Sequence, residues 1–120
     1  MVLFGGLAGR THLNDTWLYN PSKLEWTQSN GAAPSPRYLH TSGATNKFMY
    51  VFGGATRRGP LRDLWRFDGA TWRPLKASGT PPRARSGAEG AVIAGPTLLM
   101  FGGTDGKHEL PDFWELSLPA

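Results

Sequence analysis

The chain has 120 residues, a formal net charge of +4, sixteen glycines, ten prolines and no cysteine. The lack of cysteine excludes disulfides and thiolate metal sites, and a charge this modest suits an anionic partner without indicating nucleic-acid binding. No apolar run approaches the roughly twenty residues of a membrane span, and the N-terminus lacks the pattern of a signal peptide, which slightly favours a cytoplasmic location and no membrane contact.

The N-terminal segment contains a unit that recurs along the chain. Leu3-Phe4-Gly5-Gly6 returns as Val51-Phe52-Gly53-Gly54 and as Met100-Phe101-Gly102-Gly103, at intervals of 48 and 49 residues. Eleven residues after each glycine pair stands a tryptophan, with an aspartate two residues before it: Asp15 and Trp17, Asp63 and Trp65, Asp112 and Trp114. This regular spacing predicts an internal structural repeat.

Short apolar runs and alternating segments predict β-strands throughout. Residues 49–52 form an apolar run that ends at glycine, and residues 64–67 alternate apolar with polar side chains. The turn sequences at 20–23 and 68–70 join strands into hairpins, while the many glycines and prolines disfavour helices. In chain order we predict ten strands, at about 1–5, 15–20, 24–27, 38–44, 48–53, 63–67, 71–75, 88–94, 97–102 and 112–118.

Two further features keep the same order in the repeat. Trp26 and Trp72 follow the first tryptophans after nine and seven residues, and a Pro-Arg pair comes eleven residues later, at Pro36-Arg37 and Pro82-Arg83. We expect the tryptophans to fill the gaps between adjacent sheets and the glycine pairs to allow close approach of backbone. The arginine of each pair is expected to reach nearby carbonyl groups.

The glycine pair, the Asp-x-Trp, the second tryptophan and the Pro-Arg pair together resemble the kelch repeat over almost the whole chain. The resemblance implies an all-β fold, a partial kelch-type β-propeller built from four-stranded antiparallel blades. Within one segment, 1–120, it predicts a blade remnant at about 1–27, a full blade at about 38–75 and a second remnant at about 88–118.

About two and a half blades cannot close a propeller, which takes about four to eight. We therefore expect uncovered blade faces and strand edges. Three interpretations stay open: a fragment that meets the remaining blades of its own propeller, a homo-oligomer of partial propellers, and a chain that completes another protein. The fragment is favoured because the ends do not coincide with a blade boundary.

Basic residues are concentrated in the loops that follow the second and the fourth strand of each four-stranded blade, and these loops emerge on one rim of a propeller. An arginine-rich rim suits an acidic peptide, because guanidinium groups bind carboxylates and phosphates through paired hydrogen bonds, and the kelch resemblance implies partner peptides there. The simpler interpretation, charge due to solvent exposure alone, stays open, and Arg37 and Arg83 lean towards structural positions. The predicted partner-binding residues are Arg10, Arg37, Arg57, Arg58, Arg62, Arg83, Arg85 and Lys107.

No group of residues indicates catalysis, a metal or a cofactor. His12, His40 and His108 lack the paired spacing of a metal site, and the copper oxidases among kelch-like propellers need a cysteine that this chain does not have. We predict a non-catalytic module that binds a protein partner, without nucleic acid. The alternatives are a fragment of a carbohydrate- or metabolite-acting kelch-like enzyme and a purely structural propeller segment.

Overall fold

The computed structural model describes residues 1–93 and 97–118, and every regular element in them is a strand, which confirms the all-β prediction. No helix among these residues is long and apolar enough to cross a membrane. The ten strands are β1 Val2–Ala8, β2 Thr11–Asn20, β3 Glu25–Ser29, β4 Thr41–Ala44, β5 Met49–Thr56, β6 Gly59–Phe67, β7 Trp72–Leu75, β8 Glu89–Ile93, β9 Thr97–Phe101 and β10 Phe113–Ser117.

The strands form three antiparallel sheets. Sheet 1 has the order β1-β2-β3, sheet 2 the order β4-β5-β6-β7, and sheet 3 the order β8-β9-β10. Sheet 2 is a complete four-stranded blade, so the predicted partial propeller is confirmed, while the residue bounds proposed for the blade units stay predictions. In each sheet the apolar residue two places before the glycine pair lies opposite the first tryptophan: Leu3–Trp17, Val51–Trp65 and Met100–Trp114.

The segments after the first two glycine pairs are tight hairpins. β1 and β5 continue past their glycine pairs and turn directly into β2 and β6. A register shift between Phe52 and Gly54, and the equivalent shift in β1, lets the pairing resume beyond the glycines. The predicted ends of these two strands, at residues 5 and 53, were wrong. The apolar run stops at the glycines, whereas the backbone pairing between the strands continues beyond them.

Gly53 shows why the repeat has glycine here. Its φ is +64°, and an added Cβ would lie 2.7 Å from the Arg85 carbonyl oxygen and 2.9 Å from that of Leu61. The N–H of Gly54 donates to the same Arg85 carbonyl at 2.9 Å. The glycine pair therefore lets the loop between sheets 2 and 3 lie directly on the hairpin, which confirms the expected close approach.

Sheets 2 and 3 pack against each other around an apolar core. At its inner edge, the Thr41 hydroxyl on β4 donates to the Ala88 carbonyl at 3.1 Å, which ties β4 to the start of β8. These two strands are therefore neighbouring inner strands, as a propeller requires. The buried core residues form two clusters, Tyr50, Leu98 and Leu118 in one and Phe52, Ala88 and Met100 in the other.

Trp72 joins sheets 1 and 2. Its ring centroid lies 4.8 Å from that of Phe4 and 5.0 Å from that of Phe67. Its Nε1–H donates to the Thr16 hydroxyl at 2.9 Å. The expectation of a tryptophan between sheets is confirmed for Trp72, whereas Trp26, at the same position of β3, is 46% exposed.

Candidate partner-binding rim

The loops that were predicted to share a rim lie together. The loop between sheets 1 and 2 pairs with the hairpins on both sides of it: Gly6 N–H donates to the Arg37 carbonyl at 2.8 Å, and Tyr38 N–H donates to the Ala55 carbonyl at 3.2 Å. The loop between sheets 2 and 3 makes similar backbone bonds one repeat later. Backbone pairing thus joins the hairpin tips and the inter-sheet loops into one surface.

Arg37 belongs to the interior beneath this rim. Its side chain is fully buried and donates two hydrogen bonds to Asp63, of 2.6 and 2.8 Å. It also donates to the Gly53 carbonyl at 3.0 Å, and the Trp65 indole N–H donates to the same Asp63 carboxylate at 2.8 Å. This placement corrects the prediction that Arg37 contacts a partner, because its donors are satisfied inside the fold.

Arg85 repeats the arrangement in the next unit. It is buried, donates to Asp112 at 2.6 and 2.8 Å, and donates to the Gly102 carbonyl at 3.0 Å. The Trp114 indole N–H donates to Asp112 at 2.7 Å. Arg85 is therefore also removed from the predicted partner-binding set for the same physical reason.

The second buried arginine is not the one that the sequence pattern indicated. We equated Pro82-Arg83 with Pro36-Arg37, yet Arg83 is 65% exposed and Arg85 occupies the buried position. The hairpin of sheet 2 is two residues shorter between its tryptophans, and the following loop is two residues longer. The repeat length is 48 residues, and counting 48 residues from Arg37 gives Arg85. Counting eleven residues from the second tryptophan, Trp72, gives Arg83 instead.

The two aspartates that accept hydrogen bonds from Arg37 and Arg85 keep their charge at neutral pH. Partial burial alone would raise the pKa of Asp63, but the hydrogen bonds from Arg37 and Trp65 and the charge of Arg37 hold this pKa below its ordinary value. Hydrogen bonding from Arg85 holds the pKa of Asp112 far below its usual range. Each Arg–Asp pair is thus an ionic tie between an inter-sheet loop and the following sheet.

Four predicted arginines are exposed near the hairpin tips: Arg10, Arg57, Arg58 and Arg62. Arg57 donates to the Arg10 carbonyl at 3.3 Å, so the tips of the hairpins of sheets 1 and 2 touch. In the part of the chain that the structure describes, no carboxylate lies within 4.0 Å of these four guanidinium groups. They present unneutralised positive charge to solvent.

Arg83 and Lys107 extend the rim towards sheet 3. Arg83 lies 2.9 Å from Asp105, which also accepts the backbone N–H groups of Lys107 at 2.9 Å and His108 at 2.8 Å. These two backbone hydrogen bonds, and then the bond from Arg83, lower the pKa of Asp105 well below its usual range. Asp105 therefore organises this loop, a function that its Asp-Gly turn sequence could have indicated.

The three histidines lie in different surroundings. The ring centroid of His12 lies 5.2 Å from that of Tyr38, with the two rings tilted by 60°, and His108 is 74% exposed and 3.7 Å from Asp105. Burial, and then the charge of Arg37, lower the pKa of His40, whose Nδ1 has no hydrogen-bond partner among the described residues. Among these same residues, no three His, Cys, Asp or Glu side chains are grouped to hold a metal ion.

Comparison with known proteins gives a family match over the whole chain. The family model KLHDC2/KLHL20/DRC7 Kelch-repeats domain matches residues 1–120. The chain is 35% identical over 114 residues to the Rho GTPase-activating protein gacHH of Dictyostelium discoideum, which covers 86% of this chain and 7% of that protein. It is 33% identical over 126 residues to the Tip elongation aberrant protein 1 of Schizosaccharomyces pombe, covering 94% of this chain and 11% of that protein.

The match to a third relative covers a larger share of that relative's length. The Rab9 effector protein with kelch motifs of Rattus norvegicus is 36% identical over 118 residues, which covers 92% of this chain and 32% of that protein. The chain thus spans about a third or less of these three relatives. The match of the family model over the full length, together with the three repeated sheets, shows that the chain belongs to the kelch-repeat family.

Proposed function

We propose that this kelch-repeat chain is a non-catalytic protein-interaction module that binds an acidic peptide through a basic rim. One observation carries the proposal: the tips of two adjacent hairpins touch and hold guanidinium groups that no carboxylate in the described chain neutralises. The basic rim consists of the exposed residues Arg10, Arg57, Arg58, Arg62, Arg83 and Lys107.

The scaffold beneath the rim supports this function. Arg37 and Arg85 tie the inter-sheet loops to the sheets, so the exposed arginines stand on hairpins with fixed positions. A surface that is ordered before binding loses less conformational entropy when a peptide docks. Arginine side chains can then form paired hydrogen bonds with the carboxylates of an extended acidic segment.

A protein partner fits this surface better than nucleic acid. Asp105 and Glu109 in the third loop of the rim confine the unneutralised positive charge to the hairpins of sheets 1 and 2, and so short a basic surface suits a short acidic segment better than a continuous phosphate backbone. The names of relatives point in the same direction, since one is a Rab9 effector protein with kelch motifs and another is the F-box/kelch-repeat protein At1g51550 of Arabidopsis thaliana. We extend from these names only the general function of binding proteins.

The test compares two double charge reversals that change the net charge equally. Arg57→Glu with Arg58→Glu alters the rim, whereas Lys23→Glu with Lys47→Glu alters exposed turns on the opposite side. The probe is a fluorescein-labelled octapeptide of alternating Asp and Glu, and its affinity is measured by fluorescence anisotropy. We expect the rim variant to weaken binding by roughly tenfold or more and the control to leave it nearly unchanged.

Folding of each variant is checked by its thermal unfolding curve. Equal loss in both variants would show that only the overall charge attracts the peptide, and the proposal would be wrong. Unchanged affinity in a well-folded rim variant would place the binding site elsewhere and would leave a structural propeller segment as the better explanation.

A further inference from the structure

A small group of apolar and aromatic side chains lies on the rim at the first inter-sheet loop. Leu7 and His12 are directly opposite each other in the pairing of β1 with β2, so their side chains share one face of that hairpin. The ring centroid of Tyr38, in the loop between sheets 1 and 2, lies 5.2 Å from that of His12. Leu7 is 46% exposed, and the two rings are partly exposed. We call Leu7, His12 and Tyr38 the rim cluster.

Backbone contacts hold the rim cluster between two hairpins. The N–H of Tyr38 donates to the Ala55 carbonyl at 3.2 Å, and the Tyr38 carbonyl accepts the Ala55 N–H at 2.7 Å. A Cβ added to Gly54 would lie 3.0 Å from that same Tyr38 carbonyl oxygen, so the loop lies directly on the hairpin of sheet 2. The cluster is therefore ordered before a ligand binds, which lowers the entropic cost of binding.

The next unit of the repeat shows that the fold does not require these side chains. Smaller or less apolar residues stand 48 residues further on: Ala55 for Leu7, Pro60 for His12 and Ser86 for Tyr38. The backbone pairing is nevertheless the same, since Ala55 lies opposite Pro60 and Ser86 is bridged to the following hairpin. Arg37, which the fold needs, recurs as Arg85. The larger side chains on this exposed rim therefore indicate a contact outside the fold.

Leu39, which follows Tyr38 directly, supports the same interpretation. Its φ is +56°, in the left-handed region where leucine is strained, and its side chain is 56% exposed. The next unit has Gly87 at this position, with a φ of +73°. Glycine adopts this conformation without strain, so leucine here adds exposed apolar surface at a conformational cost.

Two basic hairpin tips adjoin the rim cluster. Arg10 comes two residues before His12, at the tip of the hairpin of sheet 1. Arg57 comes two residues after Ala55 and donates to the Arg10 carbonyl at 3.3 Å. A complementary ligand therefore combines one apolar group with flanking negative charge.

We propose that the rim cluster, together with Leu39, is an anchor site for a single phenylalanine within an acidic peptide. This inference rests on the function proposed above and narrows its ligand to an acidic segment interrupted by phenylalanine. The phenylalanine ring packs on Tyr38 and His12, and aromatic pairs contribute more than the apolar area that they bury. The flanking carboxylates meet the guanidinium groups of the two hairpin tips.

The test is a double-mutant cycle between peptide and protein, measured by fluorescence anisotropy. Two fluorescein-labelled octapeptides of alternating Asp and Glu carry phenylalanine or alanine at the fourth position, so that their charges are equal. The variants Tyr38→Ser and Leu7→Ala each introduce the residue of the next unit. We expect the unaltered chain to bind the phenylalanine peptide roughly tenfold more tightly than the alanine peptide. Tyr38→Ser should reduce this preference to about twofold.

Leu24 provides a matched control for Leu39. It is also a leucine with positive φ, +53°, and it is 76% exposed in the turn between β2 and β3. Leu39→Gly should weaken binding of the phenylalanine peptide several-fold, whereas Leu24→Gly should leave it unchanged. Thermal unfolding checks that both variants fold. Equal effects of the two substitutions on affinity would overturn the assignment of Leu39 to the site.

The charge reversal of Arg57 and Arg58 separates failure of the anchor from failure of the basic rim. Equal binding of both peptides, lost on charge reversal, would support the rim and overturn the anchor. A phenylalanine preference that disappears in Tyr38→Ser but survives the charge reversal would support the anchor and overturn the rim. Absence of binding of either peptide at millimolar concentration would overturn both.

Two further results would contradict the anchor site. A phenylalanine preference that persists in folded Tyr38→Ser and Leu7→Ala would place the anchor elsewhere, and the second variant decides the point if the first does not fold. A doubled mass in light scattering without peptide, reduced to the monomer mass by Tyr38→Ser, would show that a second copy of the chain covers the cluster.

Discussion

Arg37 and Asp63, 26 residues apart in the chain, are joined by two hydrogen bonds of 2.6 and 2.8 Å across the junction of the first inter-sheet loop and sheet 2. Arg85 and Asp112 make the same pair at the next junction. Asp15 occupies the corresponding position in sheet 1 and bonds Trp17, with no arginine beside it among the described residues. The described residues thus contain two ionic ties of this kind. Asp15, which bonds a tryptophan but no arginine, is a control for the effect of the ion pair.

Asp63→Asn should destabilise the fold strongly. The substitution leaves the charge of buried Arg37 without its counter-ion, which should cost about 2–3 kcal/mol in free energy of unfolding, less than in a fully buried pair because the Asp63 side chain is 42% exposed. The same change at Asp15 should cost about 1 kcal/mol or less, because no buried ion pair is lost. Urea unfolding of both variants gives the comparison, and similar costs at the two sites would refute an ionic tie.

Stability should fall in acid as Asp112 is protonated. Its folded pKa is lowered by the bond from Arg85, so the unfolded chain binds the proton more readily. The stabilisation is therefore complete above the ordinary carboxyl pKa of about 4 and is lost as the pH falls further below it. Melting temperatures between pH 7 and pH 3 should show this decline, and Asp112→Asn should make it shallower. An unchanged slope below about pH 4 would contradict the assignment.

Protonation of His40 should lower the stability of the fold at a higher pH than protonation of Asp112 does. Burial, and then the charge of Arg37, lower its folded pKa, so the unfolded chain gains the proton first as the pH drops. The contribution of His40 to stability is present above about pH 6.5 and declines below it, towards the lower folded pKa. His40→Gln should flatten the melting temperature between pH 7 and pH 5 while retaining the acid decline below it. A wild-type slope in this variant would show that another group titrates in this range.

The sheets could be predicted from the sequence because their signals are local. Apolar runs, turn sequences and the repeated Asp-x-Trp placed ten strands near their observed positions. The continuation of β1 and β5 past the glycine pairs was missed, since the register shift between Phe52 and Gly54 depends on the partner strand and leaves no local pattern. The number of strands and their positions along the chain followed from local patterns and the repeat, whereas the strand ends depend on backbone pairing between strands.

The rim was predicted less well than the sheets. The sequence correctly brought the inter-sheet loops and hairpin tips together, but it could not separate buried arginines from exposed ones. Arg83 and Arg85 are two residues apart, yet one is 65% exposed and the other is buried against Asp112. Which of them points inward depends on the length of a loop whose conformation is set by contacts distant in sequence. Partner binding by the exposed group stays a prediction.

Trp72→Ala should remove most of the contact between sheets 1 and 2. The variant loses packing on Phe4 and Phe67 and leaves the Thr16 hydroxyl unpaired, which together should cost about 3–5 kcal/mol. Trp26→Ala is the matched control, because it changes the same position of β3 at a site that is 46% exposed. It should cost clearly less, so equal destabilisation in chemical unfolding would refute the bridging position of Trp72.

Gly53→Ala and Gly9→Ala separate the two reasons for a glycine. Both residues have a similar positive φ, +64° and +62°, which costs alanine about 1–2 kcal/mol of conformational strain at either site. At Gly9 the added methyl group meets nothing within 4 Å, whereas at Gly53 it would lie 2.7 Å from the Arg85 carbonyl oxygen. That carbonyl accepts the Gly54 N–H, so the methyl group would have to push the inter-sheet loop off the hairpin.

We expect Gly53→Ala to lower the unfolding free energy by several kcal/mol more than Gly9→Ala and to broaden the NMR signals around Arg85. Equal losses would mean that backbone conformation alone explains the repeated glycine.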